Sequence, residues 1–293
     1  MDDKQEVGSP QGRLWNGPKG QVWVELQSLL DQVFKPLEDL LMEGVQAGMP
    51  DRLLDVGCGT GSTTLAAAQI LGRRQRCIGI DISEPMIAAA QSRARQQNSS
   101  AAFVCADAQR HIFDPAGFDA IISRIGVMFF DDPPGAFANL RRAAREDATL
   151  SFVAWRSPAE NPFMTAAERA TAALLPDLPP RQPGAPGQFA FAEEPHIRNV
   201  LAPSGWDRVE VRSVDLPCRL PEKDLILLIT RMGPLGGLLQ EADIDDRARV
   251  IETARAAFDS YVRGTEVHFT SACWLVTARA SAGSASAAGG SDA

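Results

Sequence analysis

An α/β fold, a mostly parallel sheet with helices on both faces, is predicted by three observations. Short apolar, β-branched runs alternate with helical patterns between Arg52 and Trp155. The stretch "DVGCGTG" sets three glycines at alternate positions between one such run and an alanine-rich segment. Prolines stand where helical patterns open, in Ser83-Glu84-Pro85 and Pro133-Pro134.

In chain order, residues 1–13 are polar and read as loose. Val24, Leu26, Leu29, Leu30, Val33, Phe34, Leu37, Leu40 and Leu41 then recur at helical intervals, interrupted near Pro36. "RLLDVG" is the first strand, and 63–71 is the helix after it. "RCIGIDIS" (76–83) is the second strand, with Ser83 placed to cap the helix that follows. "AAFVCADA" (101–108) is the third strand, and "FDAIISRIGVMFF" (118–130) contains the fourth. A helix runs from Pro133 through Arg145, and "DATLSFVAW" (147–155) is the fifth strand.

Beyond Trp155 the rhythm breaks. Residues 157–192, rich in Pro, Ala and Gly, read as an insertion with a loose loop. "DRVEVRSVDLPCRL" (207–220) alternates as an edge-proximal strand does, 222–263 is helical by pattern, and "VHFTSACWLVTARA" (267–280) is the last strand. This divides the chain into an N-terminal helical segment (1–50), a core (51–156) and a third region (157–280). The third region holds a cap insertion, the remaining helices and the last two strands of the same domain. Residues 281–293 are a low-complexity tail, read as disordered.

Composition narrows the function. A chain of 293 residues with net charge −8 and no long basic run is a poor nucleic-acid binder. Its five cysteines, Cys58, Cys77, Cys105, Cys218 and Cys273, are scattered and form no C-x-x-C. That suits reduced thiols in a cytoplasmic protein and offers no metal-ligand spacing. The polar start carries no signal-peptide pattern, and no apolar run approaches the ~20 residues that span a bilayer. Monomer and homodimer both remain open.

The glycines make the first chemical statement. A strand turning sharply into a helix leaves the helix's first N–H groups pointing outward. Removing Cβ atoms there lets a ligand touch the backbone. A crevice is therefore expected over Gly57, Cys58, Gly59 and Gly61, at the carboxyl ends of the strands. The dinucleotide fingerprint G-x-G-x-x-G is not met, because the third glycine arrives one residue early and Ser62 stands in its place. Asp81, ending the second strand, can accept from both hydroxyls of a ribose. Asp107, ending the third, can accept from an exocyclic adenine amine, and the N–H of Ala108 can donate to a ring nitrogen. The three strand ends describe a nucleoside with a compact zwitterionic tail.

"LLDVGCGTG", "GIDIS", "ADAQ" and "IISRIGVMFF", in this order, resemble the class I S-adenosylmethionine-dependent methyltransferases. The resemblance is to the small-molecule branch similar to the ubiquinone-biosynthesis methyltransferases. It covers 15–155 well and 195–280 more loosely. It implies a Rossmann-like, seven-stranded sheet whose last strand, "CWLVTARA", runs antiparallel. It also implies S-adenosyl-L-methionine as cofactor and a small-molecule methyl acceptor. By position, Asp55 and the glycine turn would hold the methionine part. Asp81 would bind the ribose, with Ile82 against the adenine and Asp107 and Ala108 at its edge. Ser123 and Arg124 would lie beside the transfer site. Trp15 and Trp23 either form a lid over the cofactor or simply pack an amphipathic helix.

Methyl transfer from a sulfonium needs alignment and water exclusion more than a dedicated base. His111, His196 and His268 lie in no motif that assigns them a role, so no catalytic residue is named. The apolar run "LILLITRMGPLGGLL" either lines an acceptor pocket or is helix–helix core. Two rival readings stay open: an NAD-binding oxidoreductase, and a cofactor-binding protein without transferase activity.

Overall fold

The computed structural model describes residues 9–175, 182, 184–232, 235, 236, 239 and 244–281. The expectations for 1–8, for the tail from 282 onward and for most of the proline-rich 176–183 fall outside the described residues.

Four short helices open the chain: α1 (Pro10–Asn16), α2 (Pro18–Glu25), α3 (Gln27–Val33) and α4 (Lys35–Gly48). The interruption expected near Pro36 is there, and Pro36 stands in the first turn of α4. A proline ring clashes with the carbonyl four residues back, so α3 ends at Val33, capped by Phe34 two residues before the proline. Further breaks at Gly17 and Leu26 had no signal in the apolar periodicity.

The core then alternates strand and helix: β1 (Arg52–Val56), α5 (Ser62–Leu71), β2 (Arg76–Asp81), α6 (Glu84–Gln96), β3 (Ala102–Cys105), β4 (Phe118–Arg124), α7 (Pro133–Ala143) and β5 (Ala144–Trp155). β5 begins three residues before the expected Asp147, because Ala144 already pairs with Phe118. The third region holds α8 (Pro162–Thr171), α9 (Glu194–Leu201), β6 (Trp206–Pro221), α10 (Leu225–Arg231), α11 (Ile244–Ala256), β7 (Val262–Arg263) and β8 (Glu266–Ala280). Helix α8 lies inside the 157–192 insertion, ahead of its proline-rich part. The 222–263 stretch is helical only in pieces and ends in the two-residue strand β7.

The sheet order is β3-β2-β1-β4-β5-β8-β6, with β7 added to β8. β1 through β5 pair in parallel, and β8 is antiparallel to both β5 and β6. This is the Rossmann-like sheet with an antiparallel last strand. Central strands are apolar on both faces because helices cover both, and Leu53, Leu54, Ile121 and Ile122 are all buried. β6 carries Pro217 and Pro221, which the ladder tolerates because β6 is an edge. The order reverses between β1 and β4, so the carboxyl ends of β1, β2 and β4 surround one crevice.

Candidate functional site

The turn after β1 is held by the neighbouring strand: the N–H groups of Gly57 and Cys58 both donate to Ile80 O, at 2.9 and 3.1 Å. Gly57, Gly59 and Gly61 all have positive φ, at 66°, 54° and 86°. Their missing side chains serve different ends. A Cβ on Gly57 would lie 2.7 Å from the Cα of Gly126 in the turn after β4, so two glycines pack back to back. A Cβ on Gly61 would strike Phe103 and Ala90, at 2.8 and 2.9 Å. Only at Gly59 is there room, with Met86 Sδ the nearest atom at 3.7 Å. Packing inside the protein accounts for glycine at Gly57 and Gly61, and of the three positions only Gly59 leaves room for a Cβ. The Cys58 side chain turns inward, where it and Thr64 fill the space a Cβ on Gly79 would need. Burial pushes the Cys58 thiol well above its ordinary range, so it offers backbone, not a nucleophile.

Four charged groups crowd this turn. Asp55 is buried at 1% exposure; its Oδ2 accepts from Thr64 Oγ1 at 2.7 Å, while Oδ1 has no hydrogen-bond partner. Burial, first of all, raises its carboxyl to about 7, against the pull of Thr64 and Arg124. Arg124, ending β4, reaches Glu38 Oε2 at 3.7 Å, too far for a hydrogen bond, and its buried Nη1 has no hydrogen-bond partner. Glu38, on α4, is buried and accepts a hydrogen bond from Ser62 Oγ. Asp81 is buried too: Oδ2 accepts from Gly59 N–H at 2.8 Å and Oδ1 from Ser83 N–H at 2.9 Å. Each of its oxygens keeps a lone pair for another donor. Burial raises the Asp81 carboxyl, and these backbone donors oppose the rise.

Asp107 accepts from the Gln109 N–H at 2.9 Å, and the carbonyl of Ala108 is held by Asn139 at 2.9 Å. Ser123 is fully buried, and its hydroxyl donates to Val56 O at 2.7 Å while accepting from Gly126 N–H at 3.2 Å. It clasps β4 to β1, while the side chain of its neighbour Arg124 faces Glu38 of α4. Ile82 is half-buried.

The expected cap at Ser83 is rearranged. Ser83 Oγ donates to the carbonyl of Trp15, at 2.7 Å, and the N–H of Glu84 is accepted by Asn16 Oδ1 at 2.8 Å. Asn16 Nδ2 also donates to Ile82 O at 3.0 Å. The end of α1 is thereby fastened to the turn that carries Asp81. From there a run of ring contacts continues through the N-terminal helices to β5. Phe129 meets Trp15 with centroids 5.0 Å apart, Trp15 meets Trp23 at 6.3 Å, Trp23 meets Phe34 at 6.3 Å, and Phe34 meets Trp155 at 5.8 Å.

The histidines are engaged elsewhere. His111 meets Phe113 edge-on, His196 lies against Phe191, and His268 contacts Glu266 at 3.1 Å. Among the described residues no group of three or more His, Cys, Asp or Glu is placed to hold a metal ion, and no helix is long and apolar enough to cross a membrane. Sequence reading missed Glu38, Thr64 and Asn16. Their only local signal is a polar residue on a helix, which many solvated positions share.

Residues 53–147 match the family of methyltransferase domains. An uncharacterized protein of Mycobacterium bovis is 32% identical over 127 residues, covering 43% of this chain and 45% of its own length. The match thus spans less than half of that relative. Nocamycin O-methyltransferase of Saccharothrix syringae is 25% identical over 259 residues, or 85% of this chain and 92% of that protein. Among solved structures, a SAM-dependent methyltransferase of Aquifex aeolicus shares the fold with a TM-score of 0.52 at 15% identity, covering 87% of this chain and 97% of that one.

Proposed function

We propose that this chain, whose residues 53–147 match the family of methyltransferase domains, is a class I S-adenosylmethionine-dependent methyltransferase that methylates a small organic molecule, with oxygen as the favoured acceptor atom. The observation that carries the reading is the surround of Gly59. A Cβ there would meet only Met86 Sδ, at 3.7 Å, and the neighbouring strands β1 and β4 end with two buried polar atoms of opposite charge without hydrogen-bond partners, Asp55 Oδ1 and Arg124 Nη1. An amino-acid zwitterion satisfies both, its ammonium against Asp55 and its carboxylate against Arg124. The charge also balances. Three buried carboxylates, Glu38, Asp55 and Asp81, stand against one arginine. A ligand with net positive charge suits that surplus.

S-adenosylmethionine, when bound, supplies a methyl group already activated on a sulfonium. The remaining work falls to this chain. Asp81 holds the ribose with its two spare lone pairs, Ile82 packs on the adenine, and Asp107 with the Ala108 N–H recognises the adenine edge. Arg124 and Asp55 fix the amino-acid end. The rings from Phe129 to Trp155 exclude water and align the acceptor, and alignment alone is worth many orders of magnitude in rate. The preference for oxygen rests on the relative named nocamycin O-methyltransferase, which this chain matches over 92% of its length.

Calorimetric titration with S-adenosylmethionine, S-adenosylhomocysteine and NAD tests the cofactor. Binding of the first two and silence from NAD is expected; the reverse would sink the proposal. Transfer of labelled methyl to a panel of hydroxylated small molecules then tests the activity.

A further inference from the structure

We infer that Asn16 is a positioning residue that couples occupation of the ribose subsite to docking of the Trp15–Trp23 lid. This rests on the cofactor reading above and deepens it.

One short segment, Asp81–Glu84, is held from both sides. On the inner side, Asp81 grips the Ser83 N–H and the Gly59 N–H. On the outer side, Ser83 Oγ grips the Trp15 carbonyl, while Asn16 takes both the Ile82 carbonyl and the Glu84 N–H. A single side chain that both donates and accepts across a strand-to-helix turn leaves that turn one orientation. The lid's own helices close tightly on the same point. A Cβ on Gly20 of α2 would lie 1.9 Å from the Trp15 carbonyl and 2.9 Å from Ser83 Oγ. The lid and the ribose carboxylate thus share Ser83, the carboxylate through its N–H and the lid through its hydroxyl. Hydroxyls donating to Asp81 fix the carboxylate, the carboxylate fixes Ser83, and Ser83 with Asn16 holds Trp15. Trp15 in turn carries Trp23 and Phe129. The ring contacts are formed in the structure as it stands, and ribose hydroxyls on Asp81 hold them closed.

Linkage makes this testable without knowing the acceptor, because the coupling must be reciprocal. Trypsin cleavage of the full chain after Arg13 and Lys19, both exposed, reads lid opening. Adenosine and 2′,3′-dideoxyadenosine are the probes, since they differ only in the hydroxyls that meet Asp81. In the wild type, saturating adenosine should slow cleavage about tenfold and dideoxyadenosine should not. In Asn16→Ala the protection should vanish, and adenosine affinity should fall by the same factor while dideoxyadenosine affinity holds. Gly20→Ala, which improves helix propensity yet crowds Trp15, should behave as Asn16→Ala does.

Asn16 Nδ2 also donates to Gly12 O at 2.9 Å, so a purely structural role would merely fray α1. That role predicts faster cleavage with and without adenosine and an unchanged ratio of the two nucleoside affinities, and this result overturns the coupling. Equal protection by both nucleosides overturns it as well. If S-adenosylmethionine gives no heat at all, the cofactor reading fails and takes this one with it. If it binds and the lid does not respond, only the coupling fails.

Discussion

Asp55 is a buried carboxyl that resists ionisation. Its carboxyl, raised to about 7 chiefly by burial, is part-protonated near neutrality. An ammonium set against Oδ1 favours the ionised form, so binding below pH 7 must release a proton. Affinity for S-adenosylmethionine should therefore rise with pH up to about 7 and level off above it. Calorimetry in buffers of different ionisation enthalpy reads that proton, and a flat wild-type profile would remove Asp55 from the ligand. The stability effect runs the other way. A carboxyl raised on folding holds its proton longer in the folded state, so its contribution is full at low pH and is lost as pH rises toward 7. Asp55→Asn should melt higher than wild type at pH 8 without cofactor. It should also bind S-adenosylmethionine about 10–100-fold more weakly, the cost of ~1.5–3 kcal/mol for a charged hydrogen bond, with the pH dependence gone. Gly59→Ala makes a companion test. Its Cβ meets nothing closer than 3.7 Å, so only the left-handed backbone is penalised, by ~1–2 kcal/mol. Melting should drop by a few degrees while cofactor affinity drops far more. A variant that binds normally would place the ligand elsewhere.

At the scale of elements, two turns meet where β1 and β4 end. Gly126 approaches Gly57 so closely that a Cβ on it would lie 2.7 Å from Val56 O and 2.8 Å from Gly57 Cα, and both of these are backbone atoms that cannot swing aside. Gly126→Ala should destabilise by ~1–3 kcal/mol, the usual penalty for overpacking, with a larger loss of melting temperature than Gly59→Ala and a parallel loss of binding. If Gly59→Ala proved the more destabilising of the two, the assignment of roles to the glycines would be inverted. This contact marks the limit of what the sequence carries. The strand–turn–helix units from Arg52 onward were legible because their signals are local: apolar runs, glycines at a turn, prolines at helix starts. Asp81 and Asp107 were legible because they end strands. Glu38 and Asn16 were not, because burial of the first and bonding of the second come from partners 24 and 66 or 68 residues away. Ser83 was legible as a residue at a helix start, yet its hydroxyl answers to α1, which no local rule predicts.

For the molecule as a whole, the apolar side chains fall into a large cluster from Val33 to Ala280 and a small one of Val22, Leu26 and Leu30. Trp23, Phe34 and Leu228 touch both clusters, and Met232, just after α10, packs on the small one. The N-terminal helices are thus an annex, fastened to the cap at one end and to the Asp81 turn at the other. The fastening to the cap includes an exposed Glu25–Arg231 ion pair, of a kind worth ~0–1 kcal/mol. The sheet, whose first strand starts at Arg52, does not need α1 or α2. Deleting residues 1–25 should leave a cooperatively folding protein with a modestly lower melting temperature, since among the described residues Val22 is the one buried hydrophobic side chain it loses. Cofactor affinity should fall, because Ser83 and the Ile82 carbonyl lose their partners. Methyl transfer should fall further still, because two of the rings, Trp15 and Trp23, go with the segment, and closure of such elements governs turnover in many enzymes. If those tryptophans only pack helices together, the truncated protein will be less stable yet equally fast per folded molecule. Melting temperature, S-adenosylmethionine affinity and single-turnover rate, measured together on the truncated chain, separate the two: an unchanged rate at saturating cofactor would mean that the rings take no part in the transfer.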